Sequence, residues 1–216
     1  MRYSKPALSV EDQARLLISR GMRGDVAEIA SRLAVVSYYR LSGYWYQFRK
    51  ADSDNLIDGI EFSRVWELYA FDRELRLLVM DPIERVEVFV RTQLAHFHAL
   101  AYGPMAYASD PQTLPCLTVE QRDRFLAKLR VERELALRSK VPFVKHFHAK
   151  YLGERELPVW MAVELLSFGG TLSFFRGVTQ GLRNQVAAPL GVNARVFESW
   201  LVAISTIRNV CAHHQR

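Results

Sequence analysis

The stretch "SRVWELYAFDRELRLLVMDPIERVEVFVRTQLAHFHALA" (residues 63–101) decides the fold. In its first half Leu68, Phe71, Leu75 and Leu78 step by three and four, the spacing that lines up one face of an α-helix. Asp81 then suits an N-cap, Pro82 the first helical position and Glu84 the third, after which Ile83, Val86, Val90, Leu94, Phe97 and Ala101 carry a second stripe. The pattern predicts two long amphipathic helices meeting at a kink or tight turn at Asp81-Pro82, with both stripes facing the core.

Upstream, Ser9 opens a short helix that Gly21 stops, and Asp25 with Glu28 has capping-box spacing for another through about Ser37. Only Tyr44 to Phe48 hints at strand alternation. Downstream, residues 102–115 read as a loop, and Thr118 with Gln121 opens a helix burying Phe125, Leu126, Leu129, Ala136 and Leu137. Pro142, Gly153, Pro158, Gly169-Gly170 and Gly177 divide the chain beyond that helix into shorter helical pieces. Asn193 caps a last helix in which Phe197, Trp200, Leu201, Ile204, Ile207 and Cys211 line one side. The chain therefore reads as all-α, with a small N-terminal helical subdomain over residues 1–55 and a helical bundle over 56–216.

The 216 residues, half of them hydrophobic, suffice for a packed core. The net charge of +6 favours an anionic partner. Between Arg122 and Arg155 ten basic residues face four acidic ones, a surplus of +6 that leaves the remainder neutral. A solvated helix face and a phosphate track both explain such a run; Lys128, Arg130 and Lys145 are the candidates for the second. Cys116 and Cys211 form no CxxC pair, which points to a reducing, cytoplasmic compartment and away from a zinc site. No apolar signal core opens the chain. The apolar stretch 157–175 is broken by Glu164 and Gly169-Gly170, short of the ~20 residues of a membrane span, and is expected as a core helix.

The sharpest chemistry lies in Arg208-Asn209-Val210-Cys211-Ala212-His213-His214-Gln215-Arg216. An imidazole near neutral pKa can move the proton of a ribose 2′-OH attacking its own phosphate, and a guanidinium can hold the phosphate oxygens. In a regular helix Asn209 and His213 share a face, whereas Arg208 and His213 point about 140° apart. Convergence needs the helix to end inside the motif, the arginine to wrap round, or two protomers to share a cleft; the last is favoured and supplies a second imidazole. The plainer reading pairs Arg208 with a carboxylate such as Glu164 and leaves His213 and His214 to end a helix.

Arg208-Asn209-x-x-x-His213 matches the R-x4-6-H signature of the HEPN superfamily, and "SWLVAISTIRNVCAHHQR" resembles the C-terminal hallmark of the Abi-like (AbiD and AbiF type) abortive-infection family. "KPALSVEDQARLLISRGM", "YYRLSGYWYQFR", "VWELYAFDRELRLLVMDPIERVEVFVRTQLA" and "LPVWMAVELLSFGGTLSFF" resemble its other blocks in order. The resemblance implies a HEPN-type helical bundle, a metal-independent endoribonuclease site with no cofactor, assembled across a homodimer, and a toxin role in defence against phage. It makes Arg208 and His213 catalytic, with Asn209 their structural neighbour and His214 in support.

Two further clusters compete with core packing. In Tyr38 to Lys50, aromatics interleave with Arg and Lys, so Tyr39, Arg40 and Tyr44 are candidates for stacking unpaired bases, although most of the six aromatics are expected to pack. His96-Phe97-His98 and His146-Phe147-His148 tempt towards a metal, but residues two apart diverge on a helix, so a buried Phe between surface His is expected and no metal site. Glu164 is expected to partner an arginine. The reading is an RNA-cleaving toxin, with RNA as substrate and as a controlling non-coding partner, or an antitoxin, and no membrane. The alternative is a non-catalytic RNA-binding or docking module; a third is a purely structural scaffold.

Overall fold

The computed structural model describes residues 6–213, and most of its helices open on a signal written in their own residues. The side chains of Ser9 and Asp25 accept from Asp12 N–H and Glu28 N–H to open α1 (Val10–Ser19) and α2 (Val26–Val36). Ser37 caps α3 (Tyr38–Trp45), which tightens into a 3-10 turn at Tyr46–Phe48. Among the described residues no strand forms, so the alternation at 44–48 is helical; two isolated bridges, Arg23 with Glu61 and Arg49 with Leu56, are the nearest approach to a sheet.

One helix, α4, then runs from Phe62 to Tyr102 through Asp81-Pro82. This corrects the expected pair of helices. Proline forfeits a single backbone bond, to the Leu78 carbonyl, and Asp81 forms a 3.1 Å ion pair with Arg85 one turn on instead of acting as a cap. The chain groups into two compact units, residues 1–78 and 79–216, and the division falls inside α4.

The first unit closes on Ala14, Leu17, Ile29, Leu33, Leu41, Trp45, Phe62 and Val65. Of the predicted stripe on the first half of α4 only Leu68 packs against this core: Phe71 is 64% exposed and Leu78 72%, and Leu75 is exposed with them. The face turned inward carries Val65, Tyr69, Asp72 and Arg76, at helical spacing. Arg76, only 8% exposed, pairs with Asp72, whose carboxylate also accepts from the Tyr44 hydroxyl at 2.5 Å. A satisfied polar network takes the position the apolar pattern assigns to leucine.

In the second unit α5 (Ala106–Ser109) and a 3-10 turn at Pro111–Thr113 occupy the segment read as a loop, and buried Tyr107 donates to the Leu157 carbonyl at 2.8 Å. The reciprocal Thr118–Gln121 capping box opens α6 (Val119–Arg138), and Pro142 starts α7 (Pro142–Lys150), so the basic run spans two helices. The stretch 157–175 is not one core helix. It breaks into α8 (Val159–Ala162), a 3-10 turn and α9 (Phe168–Gly177), with the Ser167 side chain capping Gly170 N–H. α10 (Gln180–Ala187) and α11 (Ala194–Ala212) complete the unit around Val90, Leu94, Phe125, Leu129, Phe147, Phe174, Phe175 and Phe197. Among the described residues no helix is long and apolar enough to cross a membrane.

Candidate functional site

Asn193 opens α11 by accepting from Val196 N–H at 2.9 Å, and the helix is seated by Phe197, whose ring meets those of Phe175 and Phe89 edge-on at 5.6 and 6.5 Å. Leu201 and Cys211 continue the buried side and Ile204 packs against it. Trp200 and Ile207, expected on that side, are exposed; seven residues apart, they share another face with Val196.

The helix ends inside the Arg/His motif, one of the three geometries the sequence allows. His213 is the C-cap, exposed, its N–H donating to the Asn209 carbonyl at 3.0 Å. Asn209 is exposed, and Arg208 is half-buried. The Arg208 Nε is buried and has no hydrogen-bond partner, and among the described residues no carboxylate pairs with its guanidinium. Glu164 sits exposed on the 3-10 turn Val163–Leu165 and forms no ion pair with Arg208, so the plainer pairing is not made. No bond joins Arg208 to His213 within the described residues. His214 lies outside them.

The other predicted residues separate into free and committed. Tyr39 stands 90% exposed on α3 with Arg40 half-buried beside it, whereas Tyr44 is buried and its hydroxyl bonds Asp72. Burial, and then the Asp72 hydrogen bond, raise the Tyr44 hydroxyl above its usual pKa. Tyr44 therefore offers no ring to a base. Lys128 and Lys145 are exposed, and Arg130 is engaged by Glu156 at 2.9 Å. In the first His-Phe-His triplet the expectation fails: His98 is 0% exposed, stacked beside Tyr102 and Phe174, with neither ring nitrogen bonded. Burial pushes its imidazole down to about 4. In the second triplet Phe147 is buried, His146 exposed and His148 half-buried.

Arg91 went unnoticed in sequence. It is tied to Glu87 one turn back and donates to the Leu166 carbonyl, joining α4 to the start of α9. The Glu87-x-x-x-Arg91 spacing is its only written signal, and many solvated pairs share it.

The family model described as Abi-like protein matches residues 31–216. The chain belongs to the Abi-like family. No curated protein and no solved structure matches it. The Abi-like match takes in α3 to α11 and with them Tyr39, the basic run and the Arg208–His213 motif; α1 lies before it.

Proposed function

We propose that this Abi-like protein is a metal-independent endoribonuclease of the HEPN type, an RNA-cleaving toxin of abortive infection whose Arg208 and His213 act at a homodimer interface. The observation that supports it is the state of Arg208. A half-buried guanidinium with no carboxylate partner, five residues before an exposed imidazole, is set to take an anion. In the reaction an imidazole removes the proton of a ribose 2′-OH as that oxygen attacks the adjacent phosphorus. The guanidinium holds the phosphate oxygens as charge builds, and the P–O5′ bond breaks with proton delivery from a second imidazole, leaving a 2′,3′-cyclic phosphate and a 5′-hydroxyl. A second copy supplies that imidazole, and the exposed row Val196, Trp200 and Ile207 on α11 is the apolar surface such a dimer covers. Lys128 and Lys145 in residues 79–216, and Tyr39 and Arg40 in residues 1–78, are the exposed or partly exposed groups that an RNA strand would contact; a controlling RNA or an antitoxin competes for them.

The test is labelled single-stranded RNA incubated with the protein in EDTA. Cleavage to cyclic-phosphate ends, lost in Arg208→Ala and in His213→Ala while binding persists, is the expected result. Binding without cleavage at any concentration identifies a non-catalytic RNA-binding module instead. Trp200→Glu/Ile207→Glu is expected to convert a dimer to monomers in light scattering and to lower cleavage with it.

A further inference from the structure

A cleft of about 380 Å³ opens in residues 79–216 between α6 and the turn leading into α9. Half-buried Leu117 and Leu165 line it with apolar carbon, and Arg124, Lys128 and Arg176 bring positive charge against the one lining carboxylate, Glu132. Arg176 is held by Glu198 of α11 at 2.8 Å. Arg124 and Lys128 form no ion pair among the described residues; the Glu120 carboxyl, bonded to Thr118, lies within electrostatic reach of Arg124. Free cations beside an apolar surface select a ligand with an anionic group and a flat or carbon-rich body.

Gly169 lines the same cleft in the first turn of α9. Its φ is not positive, and a Cβ added there meets nothing nearer than the Ser167 Oγ at 3.9 Å. Neither backbone conformation nor packing calls for glycine here. A bare backbone is what close approach of a ligand needs.

The cleft's rim and the Arg/His motif share α11, with Arg208 about 80° round the helix from Glu198. Glu198, which fixes the Arg176 rim, stands seven and eleven residues before Ser205 and Asn209, so helical periodicity puts all three within about 20° of one face. Arg208 lies about 15 Å further along α11 than Glu198.

We propose that this cleft binds one nucleotide unit, its phosphate between Arg124 and Lys128 and its base or ribose against the apolar Leu117 and Leu165, and that it anchors the strand presented to Arg208 and His213. The anchoring role rests on the endoribonuclease reading; the nucleotide site itself does not. The unit has two sources, a free nucleoside monophosphate and a nucleotide within single-stranded RNA.

Binding is measured in the Arg208→Ala/His213→Ala protein, which holds RNA uncut, with labelled single-stranded RNA by anisotropy and with adenosine 5′-monophosphate by calorimetry. Arg124→Glu/Lys128→Glu is expected to weaken RNA binding at least ~10-fold and to reduce the slope of log affinity on log salt by about 0.7, one phosphate's share on a single strand. Gly169→Leu, whose Cβ has no neighbour nearer than the Ser167 Oγ at 3.9 Å, is expected to weaken it about fivefold without lowering the melting temperature, an effect general electrostatics does not produce. Arg64→Glu/Arg73→Glu, reversing two exposed charges in residues 1–78, controls for net charge. Monophosphate binding that the cleft variants abolish supports the site and identifies free nucleotide as a ligand; RNA binding alone, equally sensitive, supports it with the polymer as the source. The proposal is overturned when both cleft variants bind both probes like the parent, or when the charge control weakens RNA as much and Gly169→Leu does nothing. Cleft-dependent binding by a protein that never cuts RNA defeats the endoribonuclease reading and leaves the site standing. Normal cutting with indifferent cleft variants does the reverse.

Discussion

Residues 1–78 and 79–216 treat buried polar atoms in opposite ways. In the first unit Arg76, Asp72 and Tyr44 satisfy one another, and Arg20 reaches both the Tyr38 hydroxyl at 3.0 Å and Asp54 at 2.9 Å. Among the described residues, every buried side-chain nitrogen or oxygen without a partner lies in the second unit, including both nitrogens of His98 and the Nε of Arg208. An unsatisfied buried polar group costs about 1–3 kcal/mol, so a unit that keeps several has a use for some of them. The first unit commits its buried charges to its own architecture. The second leaves cations open, and the Arg/His motif lies there.

The two arginines Arg76 and Arg208 give the sharpest way to break that contrast. Arg208→Ala is expected to lower RNA cleavage by ~10²–10³-fold, the effect of removing one transition-state donor, while shifting unfolding free energy by under about 1 kcal/mol. Arg76→Ala is expected to reduce stability by about 3 kcal/mol, because it strands Asp72 and Tyr44 in a poorly solvated setting, and to leave the cleavage rate per folded molecule unchanged. Urea denaturation alongside single-turnover cleavage reads both. If Arg208→Ala unfolds the protein and Arg76→Ala silences it, the roles assigned to the two guanidinium groups are wrong.

Much of this was legible in the residues. The caps at Ser9, Asp25, Thr118 and Asn193 act locally, through side-chain bonds to N–H groups three residues on, so sequence carries them whole. The Arg208-to-His213 spacing is legible for the same reason. Partnership across the fold is not. Nothing in the spacing of Leu68, Phe71, Leu75 and Leu78 says that Asp72 and Arg76 hold the inward face, because only Tyr44 of α3, 28 residues away, completes the network that lets them be buried. Pro82 misled because a proline marks a missing donor, and a helix of 41 residues tolerates the loss of one bond. His98 escaped since an imidazole in an apolar stripe has the same spacing whether it is dry or wet. The cleft escaped because Arg124 and Gly169 meet only after α6 and α9 pack.

His98 tests whether the second unit's unsatisfied groups carry an energetic penalty where they have no ligand to meet. Its imidazole titrates at about 4 in the folded protein against 6.5 in the unfolded chain. Above pH 6.5 neither state holds the proton and stability is unaffected. As pH falls from 6.5 towards 4 the unfolded chain takes up the proton first, so stability drops by up to about 3 kcal/mol and then levels off with respect to this group. His98→Phe, placing a third ring beside Tyr102 and Phe174, is expected to raise stability at pH 7.5 by about 1–2 kcal/mol and to flatten that acid slope. Melting curves between pH 4 and 8 decide it. An unchanged slope means that the acid sensitivity belongs to other groups, and a loss of cleavage in His98→Phe at unchanged stability means that this imidazole too is in use.

The first unit carries a penalty of its own, in backbone rather than in polar atoms, and it is the smallest effect of the set. Ser37 adopts φ 66° and ψ 145° at the one-residue corner between α2 and α3, a region that favours glycine. Its hydroxyl is a weak cap, accepting from Arg40 N–H at 3.4 Å. Strain there is worth about 1–3 kcal/mol, against a few tenths for replacing a serine cap by glycine and about 0.5–1 kcal/mol for the extra freedom glycine gives the unfolded chain. Ser37→Gly is therefore expected to stabilise by about 0.5–1 kcal/mol. Ser37→Ala, which keeps the strain and loses the cap, is expected to destabilise by about 0.5 kcal/mol. The difference between the two variants isolates the backbone contribution, because both remove the hydroxyl. Should Ser37→Gly melt below Ser37→Ala, the corner is held by its side chain and not strained, and the first unit is relaxed in backbone as well as in charge.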